Sequence, residues 1–305
     1  MGGPVVVLAG GTGGARLARG MLDVVGGDLV VVANTADDVE IYGAHVSPDP
    51  DLVLYWLADR IDERGWGLRD DTFHVMDGLR ELGVDVWFNL GDRDLAVGLR
   101  RRELLAAGTR LTEALEELRG ALGVPARVLP MSDEAVRTRV RFGGRWWAFQ
   151  EYMIRAGAGK PVEGVELEGV QASRPAPEAL DAIAAARAIV IGPSNPVISI
   201  GPILSVPGMR EALGASPAAV VAVSPLVGGA VVKGPTEAFL AWAGAEMSAE
   251  GVAALYGDVL DGVVCDEREA ELAVPTLVTG TLMADASARE RVARETLEFA
   301  LALAR

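Results

Sequence analysis

Apolar positions fall in short runs separated by polar and glycine-rich stretches. Val5 to Ala9 is a compact β-branched run, followed by Gly10-Gly11-Thr12-Gly13-Gly14 and then by Ala15 to Leu22, whose apolar spacing suits a helix lying on a sheet. Leu29 to Ala33 repeats the buried-strand pattern, so the start of the chain reads as a βαβ unit. After a polar loop over residues 34–51, the spacing predicts helices over 52–62, 72–82 and 101–122, the last carrying Leu104, Leu105, Leu111, Leu115 and Leu118. Val136 to Phe142 alternates with period two, Gly143-Gly144 supplies a turn, and Arg145 to Phe149 resumes, which predicts a hairpin. From Ala176 helix and strand alternate again: helix to Ala186, strands Ala188 to Ile191 and Ala218 to Val223, helix Glu237 to Ala243, strand Thr276 to Thr279, and a terminal helix from Ala286 to Ala304.

This order predicts an α/β chain with a Rossmann-like, doubly wound and mainly parallel sheet built from residues 1–92 and 174–305. Residues 93–173 are expected to form an inserted subdomain of helices and a β-hairpin. A chain of 305 residues, half of them hydrophobic, supports one principal core with a modest insertion.

Charge narrows the partners. A formal net charge of -15 repels nucleic acid and anionic membrane, so neither is expected, and any anion site must be local. With Lys160 and Lys233 the only lysines, such a site must draw on arginine, backbone N–H groups, helix N-termini or a metal. Cys265 is the single cysteine, the start lacks a signal-peptide pattern, and no uncharged apolar run reaches the ~20 residues of a membrane span, which together predict a soluble, cytoplasmic protein.

Four segments carry candidate chemistry. The glycine loop lets backbone N–H groups at Gly11, Thr12 and Gly13 approach a phosphate at the positive end of a helix, although such loops also serve close packing alone. It is neither a dinucleotide fingerprint, since Arg16 stands where a small residue is needed, nor a Walker loop, since no Gly-Lys-Ser or Gly-Lys-Thr follows. Asn34-Thr35-Ala36-Asp37-Asp38 and His45 to Asp51 place Asp37, Asp38, Asp49 and Asp51 just past the second strand, where hard oxygen ligands suit Mg²⁺ shared with substrate phosphates. The bland alternative is an acidic loop in which Asp51 caps a helix. Trp87 to Asp94 joins aromatic surface to a Gly-Asp-Arg-Asp turn: Arg93 suits phosphate, Asp92 and Asp94 could join the acidic set, and a salt-bridged turn is the plain reading. Ile191 to Pro202 offers Ser194, Asn195 and Ser199 on a Pro-rigidified loop after a buried strand. With only His45 and His74 and no cysteine pair, zinc sites and serine triads are disfavoured, leaving phosphate chemistry by positioning and charge.

Together, Leu8 to Arg16, Asn34 to Asp38, Trp87 to Asp94 and Gly192 to Pro196 resemble the 2-phospho-L-lactate transferase family of deazaflavin coenzyme factor 420 biosynthesis, over roughly residues 5–235 in the same order. The resemblance implies a lactyl or enolpyruvyl diphosphoguanosine donor, a deazaflavin alcohol acceptor (7,8-didemethyl-8-hydroxy-5-deazariboflavin), loss of GMP, and Mg²⁺ at Asp37, Asp38, Asp49 and Asp51. It further implies substrate binding by Gly11, Thr12, Gly13, Asn34, Ser194, Asn195 and Ser199, and catalytic roles for Asp49 and Arg93. Asn89 departs from the basic residue frequent in relatives, which puts the acceptor contacts in doubt. The inserted subdomain would lie over the acceptor, with Trp146 or Trp147 covering its ring, and a homodimer would use apolar segments near Leu204 and Leu226. The main rival is a non-catalytic nucleotide-sugar-binding regulator sharing the glycine loop; an NAD-dependent dehydrogenase is weakened by Arg16 and because the second strand ends in Ala33-Asn34-Thr35 without the acidic ribose ligand.

Overall fold

The computed structural model describes residues 2–266 and 272–303. Its centre is a sheet of seven parallel strands in the order Thr276–Val278, Gly262–Cys265, Val220–Val223, Ala188–Ile191, Val5–Ala9, Leu29–Ala33, Arg127–Pro130. The β-branched runs form these strands because both faces are covered. In Val5–Ala9 the odd residues pack with helices Gly11–Val25, Pro48–Leu57, Leu111–Leu122 and Ala286–Ala302, while Val6 and Leu8 pack with Pro177–Ala184, Ile200–Ser205, Met209–Ala215 and Ala249–Tyr256. All five residues of this strand are fully buried, each large aliphatic side chain contributing about 1.5–3 kcal/mol.

The order reverses at Val5–Ala9, which pairs with Leu29–Ala33 on one side and Ala188–Ile191 on the other. Chain connections leave these neighbours in opposite directions, opening a crevice beyond their carboxyl ends, at Gly10 and Gly192.

The doubly wound α/β expectation agrees with this sheet, and several local expectations need correction. The helix expected over 101–122 is two, Asp92–Ala106 and Leu111–Leu122, broken at Gly108, whose φ of +88° a side chain would strain. Arg127–Pro130 lies in the main sheet, paired to Leu29–Ala33, so residues 93–173 are not a separate insertion. This strand is only four residues, opening on arginine and ending on a proline tolerated at a sheet edge, and so carries little apolar pattern. What does stand apart is a three-stranded antiparallel sheet, Arg145–Ala148, Arg137–Phe142 and Gly164–Glu168, in which the expected hairpin gains a third strand. The polar loop after the second strand contains a hairpin, Val39–Ile41 with Ala44–Val46, turning at Tyr42 and Gly43, both at positive φ. Helix Pro48–Leu57 begins inside that loop, with proline in its first turn. The terminal helix runs Ala286–Ala302; Ala304 lies outside the described residues. Leu204 and Leu226 are themselves interior residues of the sheet's core. Among the described residues no helix is long and apolar enough to cross a membrane.

Candidate functional site

The glycine loop and the loop after Ala188–Ile191 lie against each other at the switch point. A Cβ at Gly13 would stand 1.9 Å from the Pro193 carbonyl oxygen, and one at Gly14 would stand 2.6 Å from Ser194 Oγ, so these positions admit no side chain. Gly11, at φ +61°, starts helix Gly11–Val25, which has no side-chain cap. The Gly10 N–H donates to Ser194 Oγ at 3.3 Å, tying the two loops together. Asn195 turns inward to its own loop, its Oδ1 accepting from the N–H groups of Val197 and Ile198 at 2.9 and 3.2 Å and its Nδ2 donating to Thr236 Oγ1.

Asp49, in the first turn of Pro48–Leu57, reaches across to this helix start. Its Oδ1 accepts from the Gly11 N–H at 2.7 Å and its Oδ2 from Asn34 Nδ2 at 2.9 Å. Asn34 is itself fixed, donating to the Ile198 carbonyl and accepting from the Ala36 N–H. Burial pushes the Asp49 carboxyl up to about 6 against the pull of those two donors. Asp37, just beyond, is raised well above the usual carboxylate range, first by burial and then by Asp49 and Asp38, and its Oδ1 has no protein donor.

The other two aspartates of the group face elsewhere. Asp38 Oδ2 pairs with His45 Nε2 at 2.9 Å, in the interior. Asp51 is gripped by both terminal nitrogens of Arg101, which is fully buried and also donates to the His45 carbonyl. That bidentate pair satisfies Asp51 and removes it from any metal set. Arg93 is exposed and also lies outside the site, because the Gly-Asp-Arg-Asp turn is a helix junction: Asp71 accepts from the N–H groups of Arg93 and Asp94, and Asp92 from those of His74 and Val75.

A cavity of about 840 Å³ opens over the crevice. Gly11, Thr12, Gly13, Asp37, Asp49, Ser194, Asn195 and Ser199 line one end of it, and Trp66, Trp87, Phe88, Phe149, Met153 and Ile154 contribute an aromatic and apolar wall. Trp87 and Phe88 stack at 5.6 Å between ring centres, with the Arg155 guanidinium 5.1 Å over Trp87. Asn89 also lines the cavity and accepts from Arg80 at 2.7 Å. Trp146 and Trp147 do not line it: Trp147 donates to the Phe142 carbonyl beneath the Arg145 guanidinium, and Trp146 lies on the outside of the small sheet.

Among the described residues the cations facing the cavity are Arg16 and Lys233, neither proposed from sequence as a ligand group. The signal was present: Arg16 is the residue that breaks the dinucleotide fingerprint, and Lys233 is one of two lysines in the chain. Lys233 Nζ donates to the Arg64 carbonyl across the cavity mouth at 3.4 Å. Trp66 belongs to a polar loop with no regular apolar period, which hid it. Among the described residues no three His, Cys, Asp or Glu side chains gather in a metal-holding group. Asp37 and Asp49, both facing the cavity and buried, are instead a two-carboxylate donor set of the kind Mg²⁺ completes with substrate oxygens.

A family model described as 2-phospho-L-lactate transferase CofD matches residues 5–289. Similar proteins include a phosphoenolpyruvate transferase of Kitasatospora aureofaciens, 43% identical with 97% of each chain covered. A 2-phospho-L-lactate transferase of Methanosarcina mazei is 40% identical over 87% of this chain and 88% of that one. Among solved structures, a UPF0052-family protein of Bacillus halodurans has a TM-score of 0.63 over 97% of this chain and 99% of that chain, at 18% identity, a likeness of fold alone.

Proposed function

The chain belongs to the 2-phospho-L-lactate transferase family, and from that premise we propose that it moves a phosphoenolpyruvyl or phospholactyl group from the corresponding diphosphoguanosine donor to the terminal ribityl hydroxyl of 7,8-didemethyl-8-hydroxy-5-deazariboflavin, releasing GMP. One observation carries the reading. A single cavity joins a helix N-terminus and two buried carboxylates to a wall of aromatic rings, so an anionic donor and a flat tricyclic acceptor fit end to end.

The chain's part in this reaction is alignment and charge. Backbone N–H groups of Thr12 and Gly13, at a helix start where Asp49 takes only the Gly11 N–H, neutralise phosphate oxygens without reorganising. Asp37, whose Oδ1 has no protein donor, and Asp49 would hold Mg²⁺, which when bound supplies positive charge to the nonbridging oxygens. Asn34 and the Gly11 N–H fix the Asp49 carboxylate in one orientation. Trp66, Trp87 and Phe88 supply surface on which the deazaflavin ring stacks and from which water is displaced. A loose phosphoryl transition state asks little of a base, so positioning and electrostatics carry the rate.

The test is an assay of acceptor mass and GMP release with each donor in parallel, at graded Mg²⁺, for the native chain and Asp37→Asn. The acceptor gains the transferred group with one donor preferred, and Asp37→Asn lowers the rate at least 100-fold at low Mg²⁺, with partial recovery at high Mg²⁺. Absence of product from both donors contradicts the reading.

A further inference from the structure

Trp56 lies in helix Pro48–Leu57 with two guanidinium groups over its ring, Arg16 of helix Gly11–Val25 at 5.5 Å and Arg289 of helix Ala286–Ala302 at 5.2 Å from the ring centre. Three hydrogen-bond donors meet here, Arg16 Nε, Arg289 Nε and Trp56 Nε1, each buried and each without a protein acceptor. Among the described residues neither Arg16 nor Arg289 has an ion-pairing carboxylate, although Asp23 and Asp59 act on Arg289 from a distance. Arg19, one turn on from Arg16, shows the contrast: its guanidinium is bound to Asp59 at 2.8 and 2.9 Å and to Asp23.

A buried donor without an acceptor costs about 1–3 kcal/mol, and two like charges on one ring add repulsion. The Arg289 guanidinium is lowered below the usual arginine range, first by burial and then by Arg19 and Arg16. The arrangement lacks one thing, an anion rich in acceptor oxygens. Of the three, Arg16 lines the main cavity while Trp56 and Arg289 lie behind it, outside the lining, and a helical side chain leans toward its helix's N-terminus, here the glycine loop. The place for that anion therefore adjoins the phosphate end of the cavity, further along the helix from Gly11 and Asp49.

We infer that Arg16, Arg289 and the Trp56 indole N–H form a second anion subsite that takes the inner, nucleoside-side phosphate of the donor, the phosphate that departs in GMP. The outer phosphate is left to the glycine loop and the Asp37–Asp49 pair. The identity of the nucleotide rests on the proposed function; the existence of the anion subsite does not. Arg289 belongs to the terminal helix, so the subsite ties the end of the chain to the loop at its start.

Binding of GMP, guanosine and inorganic pyrophosphate is measured by titration calorimetry on the native chain, Arg289→Ala and Arg289→Lys, with thermal melting alongside. Arg289→Ala weakens GMP about 10- to 100-fold, the range of a lost charge-assisted hydrogen bond, and leaves guanosine unchanged. Arg289→Lys recovers part of the loss, keeping the charge without the planar fork. Melting shifts little, because the contact with the Trp56 ring that the substitution removes is offset by relief of the buried, unpaired Nε and of the repulsion from Arg16 and Arg19. Unchanged GMP affinity in Arg289→Ala, or an equal loss for GMP and guanosine, overturns the inference. If the native chain binds pyrophosphate but not GMP, and Arg289→Ala loses the pyrophosphate, the subsite stands and the guanine-nucleotide reading falls. If the native chain binds none of the three, both fall.

Discussion

Asp94 shows how much a single side chain's surroundings decide. Burial and the nearby Asp51 push its carboxyl up to about 7, although Tyr55 Oη donates to it at 2.7 Å. An unfolded carboxyl titrates near its ordinary value of 3.8, so between about pH 4 and pH 7 the folded chain holds this proton more tightly than the unfolded one. Its contribution to stability is therefore present at low pH and lost as pH rises through 7. Asp94→Asn keeps an acceptor for Tyr55 and cannot ionise. It should stabilise the chain by about 2 kcal/mol at pH 8, allowing for solvent at this half-buried residue, and by only about 0.5 kcal/mol at pH 4.5. Urea unfolding at the two pH values measures this; equal effects at both would contradict it. The same scale shows what the sequence hid. Four aspartates follow the second strand with equal claims on a metal, and only their partners separate them: Asp51 has Arg101 and Asp38 has His45, while Asp37 and Asp49 face the cavity. Arg101 lies 50 residues from Asp51, a separation no local pattern reports.

At the scale of elements, that pair joins helices Pro48–Leu57 and Asp92–Ala106 and holds the first turn from which Asp49 projects. Removing one partner of a buried ion pair leaves the other charge stranded, so Arg101→Met should lower stability by about 3–5 kcal/mol. The double substitution Arg101→Met with Asp51→Leu should recover most of it, since an apolar pair avoids the desolvation penalty. Denaturant titrations of the three variants decide; a double variant no more stable than Arg101→Met would contradict the account. Elements with a strong period were legible: the βαβ start, the strands at Ala188 and Val220, the hairpin at residues 137–148 and the terminal helix. Weakly patterned ones were not. The strand Arg127–Pro130 is too short and too mixed in composition to show a period, and the Gly-Asp-Arg-Asp turn reads as a charged loop although its Asp92 caps the start of helix His74–Glu81.

At the scale of the whole molecule, the site follows from topology. Strand order reverses at Val5–Ala9, the flanking loops diverge there, and glycines with no room for a Cβ let the two loops close on each other. The parallel sheet, the glycine loop and the loop at Ser194 were legible because each is a local pattern with a topological consequence. The aromatic wall was legible in part, through Trp87 and Phe88, while Trp66 and Met153 come from segments brought there only by tertiary packing. On the proposed function, this crevice directs attack on the outer phosphorus of a diphosphate donor. This is tested most directly with donor carrying oxygen-18 in the bridge between the two phosphorus atoms, with the products weighed by mass spectrometry. The account predicts that the deazaflavin product gains the phosphoenolpyruvyl or phospholactyl group and that the heavy oxygen leaves in GMP. Heavy oxygen in the deazaflavin product, or no transfer from either donor, would contradict it.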